Sequence, residues 1–334
     1  MTGGDGNESY TKNSLYQGAV INSAKPLVQK SIAEHIDQLI ISSPTLETFC
    51  IADLGCSVGP NTFFAISNIL EPIKLKYPNS EFQVHFSDHT LNDFNTLFKS
   101  LPPNRDYYAS GVPGSFYTRL FPRASLHVAH CSTALHWLSQ VPREITDRTS
   151  RAYNKGKIHN VGHNEEVTNA YLRQFATDLV KFLDARAQEL VPGGLVMLIL
   201  PARPDGAPHS QIVLSVMMDM IGDCLMDLAR EVEEFNVPMH FASPQELEQV
   251  IKQHGRFSIE RMENVPQVQA SDIFTSPEQL SLAIRASTEE LITKHFGREI
   301  SDRVFPLFPE KFVKGQDRIL ASSSPSLFVL LKLN

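Results

Sequence analysis

Apolar positions in the first third of the chain follow two different periods. Leu27, Val28, Ile32, Ile36, Leu39 and Ile40 recur at helical spacing and predict an amphipathic helix over residues 25–41. Residues 49–54 form a short apolar strand, and Phe82, Val84 and Phe86 alternate toward Asp88, giving a second strand with an acid at its end. Residues 125–130 are a further strand candidate. Residues 164–190 read as a long helix stopped by Pro192-Gly193-Gly194, and the continuous apolar run 195–200 suits a strand buried on both faces. Strand–helix alternation of this kind predicts a doubly wound α/β sheet.

The pattern changes after Pro201. Pro204, Gly206 and Pro208 break the chain, and an unusually apolar helix with four methionines follows over residues 213–228. Ser243-Pro244-Gln245-Glu246 and Ser276-Pro277-Glu278-Gln279 each read as a capping box with proline at the first helical position. Residues 257–260 and 327–333 are late strands able to pair antiparallel. The intervening helices must lie off the sheet, as a helical cap over the ligand end of the strands. The organisation expected is an α/β core over 1–203, cap segments over 204–256 and 263–320, and core strands over 257–262 and 321–334.

Ligand chemistry enters at the turn Asp53-Leu54-Gly55-Cys56-Ser57-Val58-Gly59-Pro60-Asn61-Thr62, between the first strand and a helix starting near Thr62. Glycine at a strand's carboxyl end lets the backbone approach a ligand closely. A dinucleotide fingerprint is excluded, because Ser57 and Pro60 occupy its second and third glycine positions. The remaining D-x-G-x-x-x-G pattern suits a nucleoside carrying an amino acid, such as S-adenosylmethionine. Asp53 is placed to take an ammonium group or water.

Composition narrows the partners. The chain has 334 residues, 42% of them hydrophobic, and a formal net charge of −7, with no basic arm, so nucleic acid and anionic membranes are not expected. Four cysteines without paired C-x-x-C spacing read as reduced thiols in a cytoplasmic protein. Residues 1–17 are polar and glycine-rich, unlike a signal peptide.

Several blocks in order resemble the plant SABATH methyltransferases, the group that includes salicylate, benzoate, jasmonate, loganate and farnesoate carboxyl methyltransferases and theobromine-type enzymes. They are Ser9-Tyr10-Thr11-Lys12-Asn13-Ser14 through Gln17, the Asp53 turn, Asn92-Asp93-Phe94-Asn95 with 97–102, Pro113-Gly114-Ser115-Phe116-Tyr117 with 119–122, and Leu135-His136-Trp137-Leu138-Ser139 with Val141-Pro142. The resemblance covers nearly the whole chain. It implies a class I methyltransferase fold, Rossmann-like with an α-helical cap, often as a homodimer. It also implies methyl transfer from S-adenosyl-L-methionine to a small acid or nitrogen heterocycle, with S-adenosyl-L-homocysteine as product.

Residue roles follow from the same resemblance. Tyr10, Asp53, Cys56 and Asn61 should surround the methionine part. Asp88 should take the ribose hydroxyls, followed by His89 where the family usually has leucine, and Ser115, Phe116 and Cys131 should lie near the adenine. Gln17 and Trp137 match positions that hold an acceptor carboxylate, and His136 matches one facing the substrate. Thr133 is a departure: many relatives have tyrosine there, so its pocket should be wider and favour a bulkier, terpenoid acid over a flat aromatic one. Met217 and Met218 align with a pocket wall or serve as cap core. Relatives assign Mg²⁺ ligands at positions matching Asn154, Glu233, Phe235 and Asn236, with glutamate here in place of aspartate; loop packing is the alternative role. The cap also looks abbreviated around Ala229-Arg230.

The predicted reaction is in-line methyl transfer to a carboxylate, forming a methyl ester. Free carboxyl pKa values lie at about 4, so the acceptor is already ionised and no general base is needed. Two alternatives stand beside it: N-methylation of a purine-like heterocycle, and a non-catalytic sensor that binds S-adenosylmethionine without turnover.

Overall fold

The computed structural model describes residues 1–41, 48–230, 232–269 and 272–334. Among them lie seven strands: β1 (Thr48–Leu54), β2 (Glu81–Asp88), β3 (Tyr108–Pro113), β4 (Leu126–Ser132), β5 (Leu190–Pro201), β6 (Phe257–Asn264) and β7 (Ser326–Leu333). The α-helices are α1 (Tyr10–Asn13), α2 (Leu15–Ile41), α3 (Pro60–Lys76), α4 (Phe94–Lys99), α5 (Glu165–Glu189), α6 (Val213–Leu228), α7 (Pro244–His254), α8 (Pro277–Phe296), α9 (Arg298–Lys314) and α10 (Gln316–Leu320).

The strands form one sheet in the order β3-β2-β1-β4-β5-β7-β6. Pairings from β3 through β5 are parallel, while β7 runs antiparallel to both β5 and β6. Chain order reverses between β1 and β4. Their carboxyl ends therefore flank the crevice where open α/β sheets take ligands. Leu195–Leu200 and Leu327–Leu331 are almost wholly buried, as strands covered on both faces must be. One apolar cluster joins the sheet to α5 and α7, a second joins it to α2 and α3, and a third lies under α6, α8 and α9. The third is the core of the expected cap.

Four local expectations need correction. The first long helix begins at Leu15, ten residues earlier than its apolar stripe, and contains Pro26. Gly18 permits the extension to pack closely: a Cβ there would lie 2.7 Å from the Asn61 amide oxygen. Pro192-Gly193-Gly194 does not separate α5 from β5. It lies inside the strand as a bulge, since Leu126 pairs with Leu190 but Val128 with Leu195. Strand β3 was not predicted; its sequence YASGVP is turn-like, and it survives as the sheet edge, where proline is tolerated. Finally, Ser243 makes a full capping box with Glu246, but Ser276 makes only half of one. The Gln279 side chain accepts from Thr275 instead.

Candidate active site

The turn after β1 is held open by backbone geometry. Gly55 has φ +80°, and a Cβ there would come within 2.5 Å of the Ala134 methyl group. Ser57 also adopts a left-handed conformation, with φ 55°. In this position its amide donates to Asp88 Oδ2 at 2.7 Å, while the His89 amide donates to Oδ1 at 2.7 Å. Burial pushes the Asp88 carboxyl above the usual carboxylate range, against the pull of the Ser57 amide. Each carboxylate oxygen retains a lone pair for a further donor. Beyond Asp88 opens a cavity whose walls include Tyr10, His89, Ser115 and Phe116.

Four other residues expected at the cofactor are absent from that wall. Asp53 is buried with both oxygens engaged: Oδ1 bonds His130 Nδ1 at 2.8 Å, and Oδ2 accepts from the Thr62 hydroxyl. It ties β1 to β4 and α3 and does not line the cavity. Asn61 donates to the Ser14 carbonyl and hydroxyl, each at 2.9 Å, and clasps the start of α2. Cys56 and Cys131 are buried thiols whose pKa values burial pushes up.

A second cavity adjoins the first. Gln17, Thr133, His136, Trp137, Met217 and Met218 all line it. Met1, Tyr10, Thr133, Trp137 and Ser287 line both cavities and form the shared wall. Helix α2 supplies Gln17 from its first turn, the loop after β4 supplies Thr133 to Trp137, and α6 supplies the methionines. Thr133 has φ 50°, a rare conformation for a β-branched residue, and its amide donates to the Ile199 carbonyl at 2.7 Å. Its side chain hydrogen-bonds Tyr10, whose phenol burial and the Asp88 charge keep protonated. Burial lowers the His136 pKa to about 3, so the ring is neutral near pH 7. Gln17 Oε1 and His136 Nδ1 are buried without a hydrogen-bond partner.

The motifs gave no sign of the brace behind the two cavities. Arg186 and Glu189 form a fully buried ion pair at the end of α5. Arg186 donates to the carbonyls of Phe116 and Thr118, and Glu189 accepts from the amides of Leu120 and Phe121. The Tyr117 hydroxyl donates to the Trp137 carbonyl at 2.5 Å, joining the Phe116 loop to the loop after β4. A charged i, i+3 pair on the apolar stripe of α5 was the available signal.

The described side chains among the expected magnesium residues do not supply that ion's oxygen set. Asn154 donates to Asn236 Oδ1 at 2.7 Å and to the His159 carbonyl, and Tyr171 also donates to Asn236 Oδ1. Asn154 Oδ1 and Asn236 Nδ2 are left without a partner there, and only the first is an oxygen. Phe235 packs on the rings of His295 and Phe296. The Glu233 side chain lies outside the described residues. Magnesium demands a near-octahedral oxygen set, and one amide oxygen does not provide it. Among the described residues no cluster of His, Cys, Asp and Glu is arranged to hold a metal. The Asn154–Asn236 pair is a loop clamp.

A 3-2-1-4-5-7-6 sheet, an acid at the end of β2 and two adjoining cavities under a helical cap define a class I methyltransferase dependent on S-adenosylmethionine. The family model for the SAM-dependent carboxyl methyltransferases matches residues 1–334, and the chain belongs to that family. It is 44% identical to loganic acid O-methyltransferase of Catharanthus roseus, over 92% of this chain and 86% of that one. It is 38% identical to farnesoic acid carboxyl-O-methyltransferase of Arabidopsis thaliana, over 100% of this chain and 97% of the relative. A solved structure of loganic acid methyltransferase with SAH superposes with a TM-score of 0.95 at 42% identity, covering 100% of this chain and 98% of the other. No helix among the described residues is long and apolar enough to cross a membrane.

Proposed function

We propose that this carboxyl methyltransferase converts a small terpenoid or aromatic acid into its methyl ester, with the acceptor in the cavity lined by Gln17, Trp137 and the α6 methionines. The observation that carries this reading is the shared wall of Met1, Tyr10, Thr133, Trp137 and Ser287. An acceptor beyond that wall lies next to whatever fills the Asp88 cavity. S-adenosylmethionine, when bound, supplies an electrophilic methyl group on a sulfonium. Asp88 is the acceptor for its ribose hydroxyls, and Ser115 and Phe116 border its adenine.

The Gln17 amide and the Trp137 indole N–H are donors for the acceptor carboxylate. They orient one oxygen and transfer no proton. His136 and Tyr10, neutral beside them, add no charge that would compete for that carboxylate. The apolar cap side chains exclude water and so favour the aligned pair. Four free cysteines support a cytoplasmic setting, and the family resemblance supports a homodimer. Incubation with a labelled methyl donor and a panel of carboxylic acids and purines tests the reading. Labelled methyl ester is expected. Label found only on a purine nitrogen, or tight SAH binding without turnover of any acid, would replace it with one of the two alternatives.

A further inference from the structure

The chain leaves the sheet for the cap through residues 202–212, between β5 and α6, and returns through residues 236–243, ahead of α7. The two crossings are tied together. The Arg203 amide donates to the Ala242 carbonyl at 3.2 Å, and the Arg203 guanidinium bonds Glu246, whose other oxygen accepts from the Ser243 amide at 3.0 Å. Each crossing also buries one histidine, His209 and His240, with ring centres 5.2 Å apart. The returning crossing runs along residues of the acceptor cavity. Its His240 amide donates to the His136 carbonyl at 2.9 Å, its Pro238 carbonyl accepts from the Leu138 amide at 2.7 Å, and Met239 pairs with Trp137 as an antiparallel bridge.

These two rings suit the neutral imidazole only. His240 turns Nε2 to a Glu246 carboxylate oxygen at 3.3 Å, so Nε2 carries the proton and Nδ1 is bare. Among the described residues His240 Nδ1 has no hydrogen-bond partner, nor has either ring nitrogen of His209. A second proton on either ring would be a buried charge whose new N–H meets no acceptor. The surrounding groups do not offset it. Arg203 is a cation, Glu246 is shared with Arg203 and Ser243, and His159, from the loop before α5, is a third buried imidazole with an unpartnered Nδ1. Helix α5 presents Phe175 to His240, at 5.1 Å between ring centres, and Tyr171 to His159. Asp219 of α6 lies on the His159 side, held by Lys157 and Arg318. Burial, then the proximity of His240 and Arg203, holds His209 well below the usual imidazole range, and burial outweighs Glu246 at His240. Resting on the reading of Trp137 as an acceptor-binding residue, we infer that His209 and His240 are positioning residues: a neutral buried pair that seats the returning crossing against His136-Trp137-Leu138 and releases it when protonated.

Above the ordinary imidazole pKa of about 6.5 the seated form is fully favoured, and it loses ground as pH falls below that value, because the released form binds the protons. Amide exchange at His240, Leu138 and Arg203, corrected for the intrinsic rate, reads the effect. Between about pH 7.5 and 5.5 the opening constant should rise roughly tenfold per imidazole, about a hundredfold for the pair. His209→Leu keeps an apolar filler and removes one titrating ring, so its rise should be nearer tenfold, roughly that of a single imidazole. His240→Leu gives the same comparison if the first variant does not fold. With SAH and the acid methylated fastest in the panel both saturating near pH 7.5, the same amides should exchange roughly tenfold more slowly than with SAH alone, since seating and acceptor binding favour each other. A pH-independent opening constant, or an undiminished rise in the folded variant, overturns the inference. So does acceptor binding that leaves these amides unprotected while methyl ester still forms. Failure to methylate any acid would instead remove the reading of the acceptor site.

Discussion

The two cavities are built by different means. The cofactor side is made largely of backbone at strand ends: Gly55 and Ser57 in left-handed conformations, two amides on Asp88, and a loop whose carbonyls and amides are held by Arg186 and Glu189. The acceptor side is made of side chains from α2, α6 and α8, segments far apart in sequence. Backbone geometry tolerates little variation, so one side can keep a common ligand. Apolar side chains can be exchanged at modest cost if volume is kept, so the other side is free to change its substrate. Trp137 and Thr133 stand where the two regimes meet.

Trp137→Phe should separate the sides most sharply. The ring is kept and the indole N–H removed. SAH affinity should stay near that of the parent, while methyl transfer falls on the order of a hundredfold, the cost of misplacing a reacting group by about 1 Å. Near-parent turnover in a steady-state assay would make Trp137 a packing residue and erase the difference between the two sides.

Thr133→Tyr should narrow the acceptor side. The ratio of kcat/KM for salicylate over a terpenoid acid is expected to rise roughly 10–100-fold, since one or two groups' worth of contact changes specificity by that order. Tyrosine is unbranched at Cβ and fits the φ of 50° with less conflict than threonine does. A flat ratio, with the parent already preferring salicylate, would refute the assignment of pocket width to this position.

Asp88→Ala should act on the opposite side. Hydrogen bonds to charged groups contribute about 1.5–3 kcal/mol, so SAH affinity should fall tenfold or more, measurable by calorimetry. Burial holds the Asp88 pKa above the ordinary carboxylate range, and the hydroxyls need its ionised form. Affinity in the parent should therefore weaken as pH falls through that raised pKa, and Asp88→Asn should abolish this dependence. A Kd insensitive to both substitution and pH would place the ribose elsewhere.

The contrast also explains what could be read from the sequence. Strands β1, β2, β4, β5 and β7 and the glycine turn were legible because each is encoded by a run of adjacent residues. The edge strand β3 was not, because Gly111 and Pro113 carry the composition of a turn. Asp53 shows a subtler limit. An acid at the end of β1 was visible, but its two partners arrive from Thr62 on α3 and His130 on β4, and only the fold reveals that it joins these elements and lies off the cavity wall. Gln17, Trp137 and the methionines were found through family resemblance. No local pattern says that α2, the β4 loop and α6 converge. Arg186 and Glu189 escaped notice because charged residues on a helix usually face water.

Tyr117→Phe gives the smallest expected effect and the finest probe of how the two sides communicate. Tyr117 borders the cofactor cavity, and its hydroxyl reaches the Trp137 carbonyl at 2.5 Å. Burial keeps that phenol protonated, so it remains a donor across the assay range. The buried Arg186–Glu189 pair fixes the loop carrying Tyr117, so a nucleoside that settles this loop should also settle the Trp137 backbone. Removing one neutral hydrogen bond alters affinity by about 1 kcal/mol, roughly fivefold. The loss should appear in acceptor KM and in the factor by which SAH tightens acceptor binding, because coupling between two sites is reciprocal. SAH affinity measured without acceptor should stay nearly constant, since the phenylalanine ring still fills the wall. If SAH affinity alone falls and the coupling factor is unchanged, Tyr117 belongs wholly to the cofactor side and the two cavities communicate only through the wall they share.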